Sequence, residues 1–193
     1  DRVVAGLERK AKIITGHEKK IIATHESGHA LATYLLKNET IHRISILPRG
    51  KAMGFVMQTS ENDKSVYHRR DLLNKIMTLL GGRAAEELEF GDISSGGKND
   101  LEKATEIALS MVGELGMSSL GQISYAGLLS SSFVFPAELY DKAKDIIEEC
   151  YHQIKAMLED HRQMLSCLAD SLMARETLSG DEVKQMLVAF ESH

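Results

Sequence analysis

The sequence predicts a mainly α fold with a small β-sheet, on three observations. Long stretches carry apolar residues at helical spacing, and two short β-type runs flank a Pro-Arg-Gly turn. Only two prolines, Pro48 and Pro136, interrupt the chain.

The first helix is expected over about Glu18 to Lys37. Thr15 and Glu18 stand three apart, as in a capping box, and Ile21, Ile22, His25, Ala32, Leu35 and Leu36 recur at helical spacing. Residues 41–48 and 52–58 read as strands joined through Pro48-Arg49-Gly50, which predicts a hairpin. A second helix follows over about 65–89, with Leu72, Leu73, Ile76, Leu79 and Leu80 on its apolar face. Gly81-Gly82 interrupts it at a propensity cost of about 1 kcal/mol per glycine, a cost that close approach of another helix would offset. Residues 91–97 read as a Gly/Ser loop. Asn99 is then expected to cap a third helix from about Asp100 to Leu115, with Glu102 completing the box. Residues 116–135 look irregular, with a short strand near Ile123–Leu129. Helices over about 137–159, 160–174 and 181–190 complete the chain, the last capped by Ser179 and Glu182.

Composition fits one domain over residues 1–193, with 1–14 as a linker, 15–120 as a core and 137–190 as a C-terminal helical bundle. Of the 193 residues, 43% are hydrophobic and 26% charged, and the net charge of -5 gives no basic surplus for nucleic acid. Aromatics are only 5% and Trp is absent, which argues against a base-stacking platform. Cys150 and Cys167 lack the spacing of a metal knuckle and read as reduced core thiols. No apolar run approaches the length that spans a bilayer, and no signal peptide is visible.

The chemistry concentrates at His25-Glu26-Ser27-Gly28-His29, a His-Glu-x-x-His pattern inside the first helix. Residues four apart share a face, so both imidazoles can reach one metal ion, and neutral imidazole suits zinc. Glu26 is placed to take a proton from a water that the metal acidifies, then to pass it to the leaving amine. A third ligand is needed. The pattern with a further histidine six residues on is excluded, because Leu35 occupies that position and Ala32 the intervening glycine position. Glu86 or Glu87 on the second helix and Asp100 on the third remain, and spacing does not choose between them. The other histidines, His17, His42, His68, His152, His161 and His193, show no ligand spacing and read as surface residues.

Several further segments occur in an order that resembles the peptidase domain of the FtsH family, AAA+ metalloproteases of bacteria, mitochondria and chloroplasts. They are Asp1-Arg2-Val3-Val4-Ala5-Gly6, His25 to Ala30, His42 to Ile46 with Pro48-Arg49-Gly50, Gly81 to Glu87, Ser95-Gly96-Gly97, and Asn99-Asp100-Leu101. The resemblance implies a zinc-peptidase helix core with zinc on His25, His29 and Asp100, Glu26 as catalytic base, and Glu86 as the carboxylate that orients a ligand histidine. It implies that strand 52–58 borders the cleft, so that Gly54, Phe55 and Val56 bind an extended substrate by strand addition. Further expectations are unfolded polypeptides as substrates, a homohexamer in the full-length protein, and ATP used only through an ATPase module absent from this chain. The same resemblance implies a membrane anchor outside this chain, in the bacterial inner membrane or an organelle inner or thylakoid membrane. This domain is then soluble, on the cytoplasmic, matrix or stromal side. Three departures stand out, besides one residue exchange. The chain has no Gly-x-x-x-x-Gly-Lys-[Ser/Thr] motif and no membrane span, which leads to the expectation of a C-terminal piece of a longer protein. The 125–140 region looks short for the family, and Gly97 stands where alanine is commoner.

Overall fold

The computed structural model describes residues 14–48, 54–59, 65–128 and 136–191. Helix α1 spans Gly16–Leu36, β1 Thr40–Ser45, β2 Phe55–Thr59, α2 Arg69–Phe90 and α3 Lys98–Gly113. Helices α4 (Ala137–Asp160) and α5 (Arg162–Arg175), strand β3 (Thr177–Ser179) and α6 (Gly180–Glu191) complete the order. The fold is mainly α with one small sheet, as the sequence predicts. The linker expected over 1–14 lies outside the described residues except for its last position.

Helix α1 starts where its capping box predicts. Glu18 N donates to Thr15 Oγ1 at 3.2 Å, and Thr15 N donates back to Glu18 Oε2 at 2.9 Å. The helix then buries an almost unbroken run from Ala23 to Thr33, because α2, α5 and the sheet close on it from different sides. At its end Lys37 takes the left-handed conformation (φ 51°) and its N–H caps the Thr33 carbonyl.

Helix α2 is continuous through Gly81-Gly82. The reason is the close approach that the glycines permit. A Cβ on Gly28 would stand 2.3 Å from the Gly81 carbonyl oxygen, and one on Gly81 would stand 2.8 Å from the Gly28 carbonyl oxygen. The two backbones touch there, which brings His25 and His29 of α1 against α2.

The sheet order is β2-β1-β3, all antiparallel. Strand β1 runs in register from Ser45↔Phe55 to Thr40↔Thr59, with an irregularity between Ile41 and Arg43. The hairpin partners are as expected, while most of the turn, residues 49–53, lies outside the described residues. Strand β3 is a finding that periodicity did not predict: Thr177, Leu178 and Ser179 pair with Ser45, Ile44 and Arg43. Glu176, at φ 64°, makes the sharp exit from α5 that turns the chain back onto β1.

Two local expectations are corrected. Helix α3 begins at Lys98 and its cap position is Gly97, with no side-chain cap; Asn99 sits inside the first turn. A 3-10 turn over Ser95–Gly97 runs straight into the helix, and the extended residue with a capping side chain, Ser94, caps that turn instead, its Oγ accepting from Gly96 N. In place of a strand near Ile123–Leu129, the described part of that segment ends in a 3-10 turn over Ala126–Leu128. The last helix does keep its expected cap, with Glu182 N donating to Ser179 Oγ at 3.3 Å.

The C-terminal helices fold back onto the core. α4 lies along α2 and α3, and α5 lies along α1. Leu31, Ile76, Leu80, Met111, Ile154 and Leu168 are fully or almost fully buried in one shared interior. That interior holds α1 and α2 rigid on the side away from the histidines.

Candidate metal centre and catalytic site

Three elements deliver one constellation. α1 supplies His25, Glu26 and His29, α2 supplies Glu86, and the start of α3 supplies Asp100. His25 Nε2 and His29 Nε2 lie 3.0 Å apart, and Asp100 Oδ2 lies 3.4 Å from each. These three residues are also the one group among the described residues whose His, Cys or carboxylate atoms converge as a metal site would need.

The outer faces of both rings are engaged, which fixes what the inner faces present. His29 Nδ1 lies 2.8 Å from the Thr78 carbonyl oxygen, an atom that can only accept, so Nδ1 donates and Nε2 carries the lone pair. His25 Nδ1 lies 2.6 Å from Glu86 Oε1. Burial raises the Glu86 pKa, but hydrogen bonds from His25 and Ser94 outweigh it and lower the net value, so this carboxylate is an acceptor too. With its outer nitrogen donating, each imidazole turns Nε2 inward as the atom left to bind a metal ion or a second proton.

Two imidazole Nε2 atoms and a carboxylate oxygen this close need a proton or a metal cation between them. The spacing fits one: tetrahedral zinc with bonds of about 2.0–2.1 Å sets its ligand atoms about 3.3 Å apart, against the 3.0, 3.4 and 3.4 Å found. The electrostatics agree. Burial opposes a charge on His25, yet Asp100 and Glu86 outweigh it and lift the pKa to about 9. Burial raises the pKa of half-buried Asp100, but the two histidines drive it well below the usual carboxylate range. The pocket favours positive charge at its centre.

Glu86 does more than touch His25. Its Oε2 accepts from Ser94 N at 2.6 Å, so one carboxylate ties the first histidine to the loop that delivers Asp100. Asp100 sits in the first turn of α3, where the helix dipole favours an anion. Gly82 forms the floor: a Cβ there would lie 2.6 Å from His25 Cε1 and 2.7 Å from the Nε2 atoms of both histidines. At Gly97 a Cβ would meet His25 Cε1 at 3.5 Å, an ordinary contact, so this position would accept alanine.

Glu26 is 7% exposed and lies beside the histidines without being one of the converging atoms. Desolvation raises its pKa, partly opposed by His29 and His25. Buried Gly54 is packed against its side chain, while Phe55 and Val56 are half-buried in β2, at the sheet edge. Glu87, the other carboxylate that spacing leaves open, is turned away from the histidines: it pairs with Lys155 at 2.8 Å and accepts from the Tyr151 hydroxyl. Among the remaining histidines, His17, His42, His68 and His152 are exposed and His161 is half-buried; His193 lies outside the described residues.

Sequence reasoning missed the Thr78 carbonyl, the Ser94 N–H and the floor at Gly82. The first two are backbone groups and carry no residue signature. The glycine was noticed for its helix cost, but nothing in the sequence says that its missing side chain faces the imidazoles.

Comparison with known proteins agrees with this geometry. The sequence pattern of peptidase family M41 matches residues 12–186. An ATP-dependent zinc metalloprotease FtsH of Thermotoga maritima is 42% identical over 203 residues, covering 97% of this chain and 33% of the relative. Proteins of the same name from Syntrophobacter fumaroxidans and Helicobacter pylori are 39% and 35% identical, each over 100% of this chain and 32% and 33% of the relative. The chain spans about a third of the length of the curated relatives it matches. With that pattern across residues 12–186 and relatives 34–42% identical over nearly the whole chain, this chain belongs to peptidase family M41.

Proposed function

We propose that the chain is a zinc-dependent endopeptidase domain in which His25, His29 and Asp100 hold the metal and Glu26 is the general base. The convergence of two imidazole Nε2 atoms and a carboxylate oxygen beside a buried glutamate carries this reading. When bound, zinc would supply Lewis-acid polarisation of the peptide carbonyl and acidify a water molecule. Glu26 would take the proton of the attacking water on its carboxylate and return it to the nitrogen of the departing amine. Desolvation makes that carboxylate a stronger base than a solvated glutamate. Glu86 and the Thr78 carbonyl would hold the two rings in orientation throughout.

Substrate would add along the outer edge of β2, presented by the strand order, at Gly54, which packs on Glu26, and at Phe55 and Val56 beyond it. Strand addition reads backbone more than side chains, which suits unfolded polypeptides of varied sequence. The names and lengths of the relatives support a longer, ATP-dependent protein. In it this chain is the proteolytic part of an ATP-dependent homohexamer, with ATP used by a module outside the chain. No described helix is long and apolar enough to cross a membrane. The anchor would therefore be another segment, in a bacterial inner membrane or an organelle inner or thylakoid membrane, with this domain on the cytoplasmic, matrix or stromal side.

The test pairs two substitutions. Glu26→Gln is expected to keep stoichiometric zinc and lose roughly 10²–10⁴-fold in turnover of an unstructured peptide. Asp100→Ala is expected to lose the zinc. A fully active Glu26→Gln variant would refute the base, and stoichiometric, tight zinc in Asp100→Ala would refute the ligand set.

A further inference from the structure

We propose that Gly54 is a positioning residue for Glu26: the absence of a side chain at this position leaves the space that the Glu26 carboxylate occupies, and the backbone there confines it. The inference rests on the reading of Glu26 as the general base.

Three observations carry it. First, an added Cβ at Gly54 would lie 2.8 Å from Glu26 Oε1, 2.9 Å from Glu26 Cγ and 2.8 Å from Ile22 Cγ2. Ile22 and Glu26 are one turn apart on α1, so the chain entering β2 is pressed against that one face of the helix. Second, Gly54 is not one of the positive-φ glycines, so the backbone does not demand glycine there; the demand is steric. Third, among the described residues no hydrogen bond holds the Glu26 carboxylate, although Glu86 and Asp100 are both fixed by named partners. A side chain with three rotatable bonds and no hydrogen-bonding partner is oriented by the walls around it. The walls here are Ile22 and the Gly54 backbone.

The consequence of adding a methyl follows from distances. Carbon needs about 3.5 Å from a neighbouring heavy atom, so Oε1 must retreat by about 0.7 Å or rotate away. The atoms in the way are side-chain atoms of Glu26 and Ile22, not backbone, so the fold can yield while the base is displaced. A misplacement approaching 1 Å at a reacting group costs on the order of 10²-fold in rate.

The experiment is Gly54→Ala in the zinc-loaded chain, with a fluorogenic unstructured peptide read under single-turnover and steady-state conditions. The expected result is a fall in kcat of roughly 10–100-fold, with KM within about twofold, zinc stoichiometry unchanged, and an unchanged unfolding midpoint for the metal-free chain. In a Glu26→Gln background, Gly54→Ala is expected to cost nothing further, because the group it displaces no longer acts as base. Gly54→Ala/Ile22→Ala relieves the apolar clash only; it restores any lost stability but not kcat. Unchanged kcat in Gly54→Ala overturns the proposal. So do a rise in KM alone, which leaves Gly54 acting on substrate and not on the base, an equal loss in both Glu26 backgrounds, or recovery of kcat in the Ile22→Ala double variant. Full activity of Glu26→Gln by itself is a separate result: it refutes the assignment of the base, whatever Gly54→Ala does.

Discussion

Gly82→Ala separates metal binding from folding more sharply than any ligand substitution. The added methyl would stand 2.6 Å from His25 Cε1 and 2.7 Å from each Nε2, where about 3.5 Å is needed. Both rings must therefore shift by close to 1 Å. They cannot do so and keep Nδ1 on Glu86 and on the Thr78 carbonyl, at 2.6 and 2.8 Å. Losing one such orienting contact costs about 10–100-fold in metal affinity; straining both at once should cost at least about 100-fold. A competition titration against a zinc-binding dye measures this directly. The metal-free chain should lose less. Alanine in a helix interior is favoured over glycine by about 1 kcal/mol, and the clashing atoms are the tips of two side chains. Straining the two ring hydrogen bonds costs about 1–3 kcal/mol, which the helix gain partly offsets, so metal-free Gly82→Ala should unfold in urea within about 2 kcal/mol of the native chain. Native chain should gain about 2.7 kcal/mol from zinc at a hundredfold excess over its Kd, and the variant almost none at the same concentration. Native zinc affinity in a folded Gly82→Ala chain would refute the assignment of Gly82 as the floor of the site.

The neighbouring glycines give a contrasting outcome. Gly28→Ala drives a methyl to 2.3 Å from the Gly81 carbonyl oxygen, a backbone atom that cannot rotate away. It should destabilise the metal-free chain by about 3 kcal/mol, the upper part of the overpacking range, measured by urea unfolding; a loss below about 1 kcal/mol would show that α1 and α2 can separate. Glu86→Ala should weaken zinc binding about 10–100-fold without abolishing it. It also frees the Ser94 N–H, so amide hydrogen exchange at 94–97 should rise, and unchanged exchange there would mean that Glu86 does not anchor the loop.

The parts of this fold that were legible in the sequence are those whose causes are local. α1 announces itself through Thr15 and Glu18, which bond each other at its start, and through a periodic apolar face. The two histidines follow from helix geometry alone, since a spacing of four places them one turn apart. The third ligand is not local. Glu86 and Asp100 are both acidic, both near helix positions facing α1, and only the packing of three helices sends Asp100 Oδ2 to the inner nitrogens and Glu86 to an outer one. Family resemblance could choose between them where spacing could not. The same division explains the errors. Asn99 has the right residue type for a cap, but a preceding 3-10 turn removes the extended conformation a cap requires. Strand β3 has three residues, too few for any periodicity, and exists because Glu176 turns the chain onto β1. The glycines sit between these cases. Gly28, Gly81 and Gly82 each carry a visible helix penalty, so the sequence indicates that something approaches closely there. It cannot say that for the first two it is helix backbone and for the third a pair of imidazoles. That difference decides which substitution harms the fold and which harms the site.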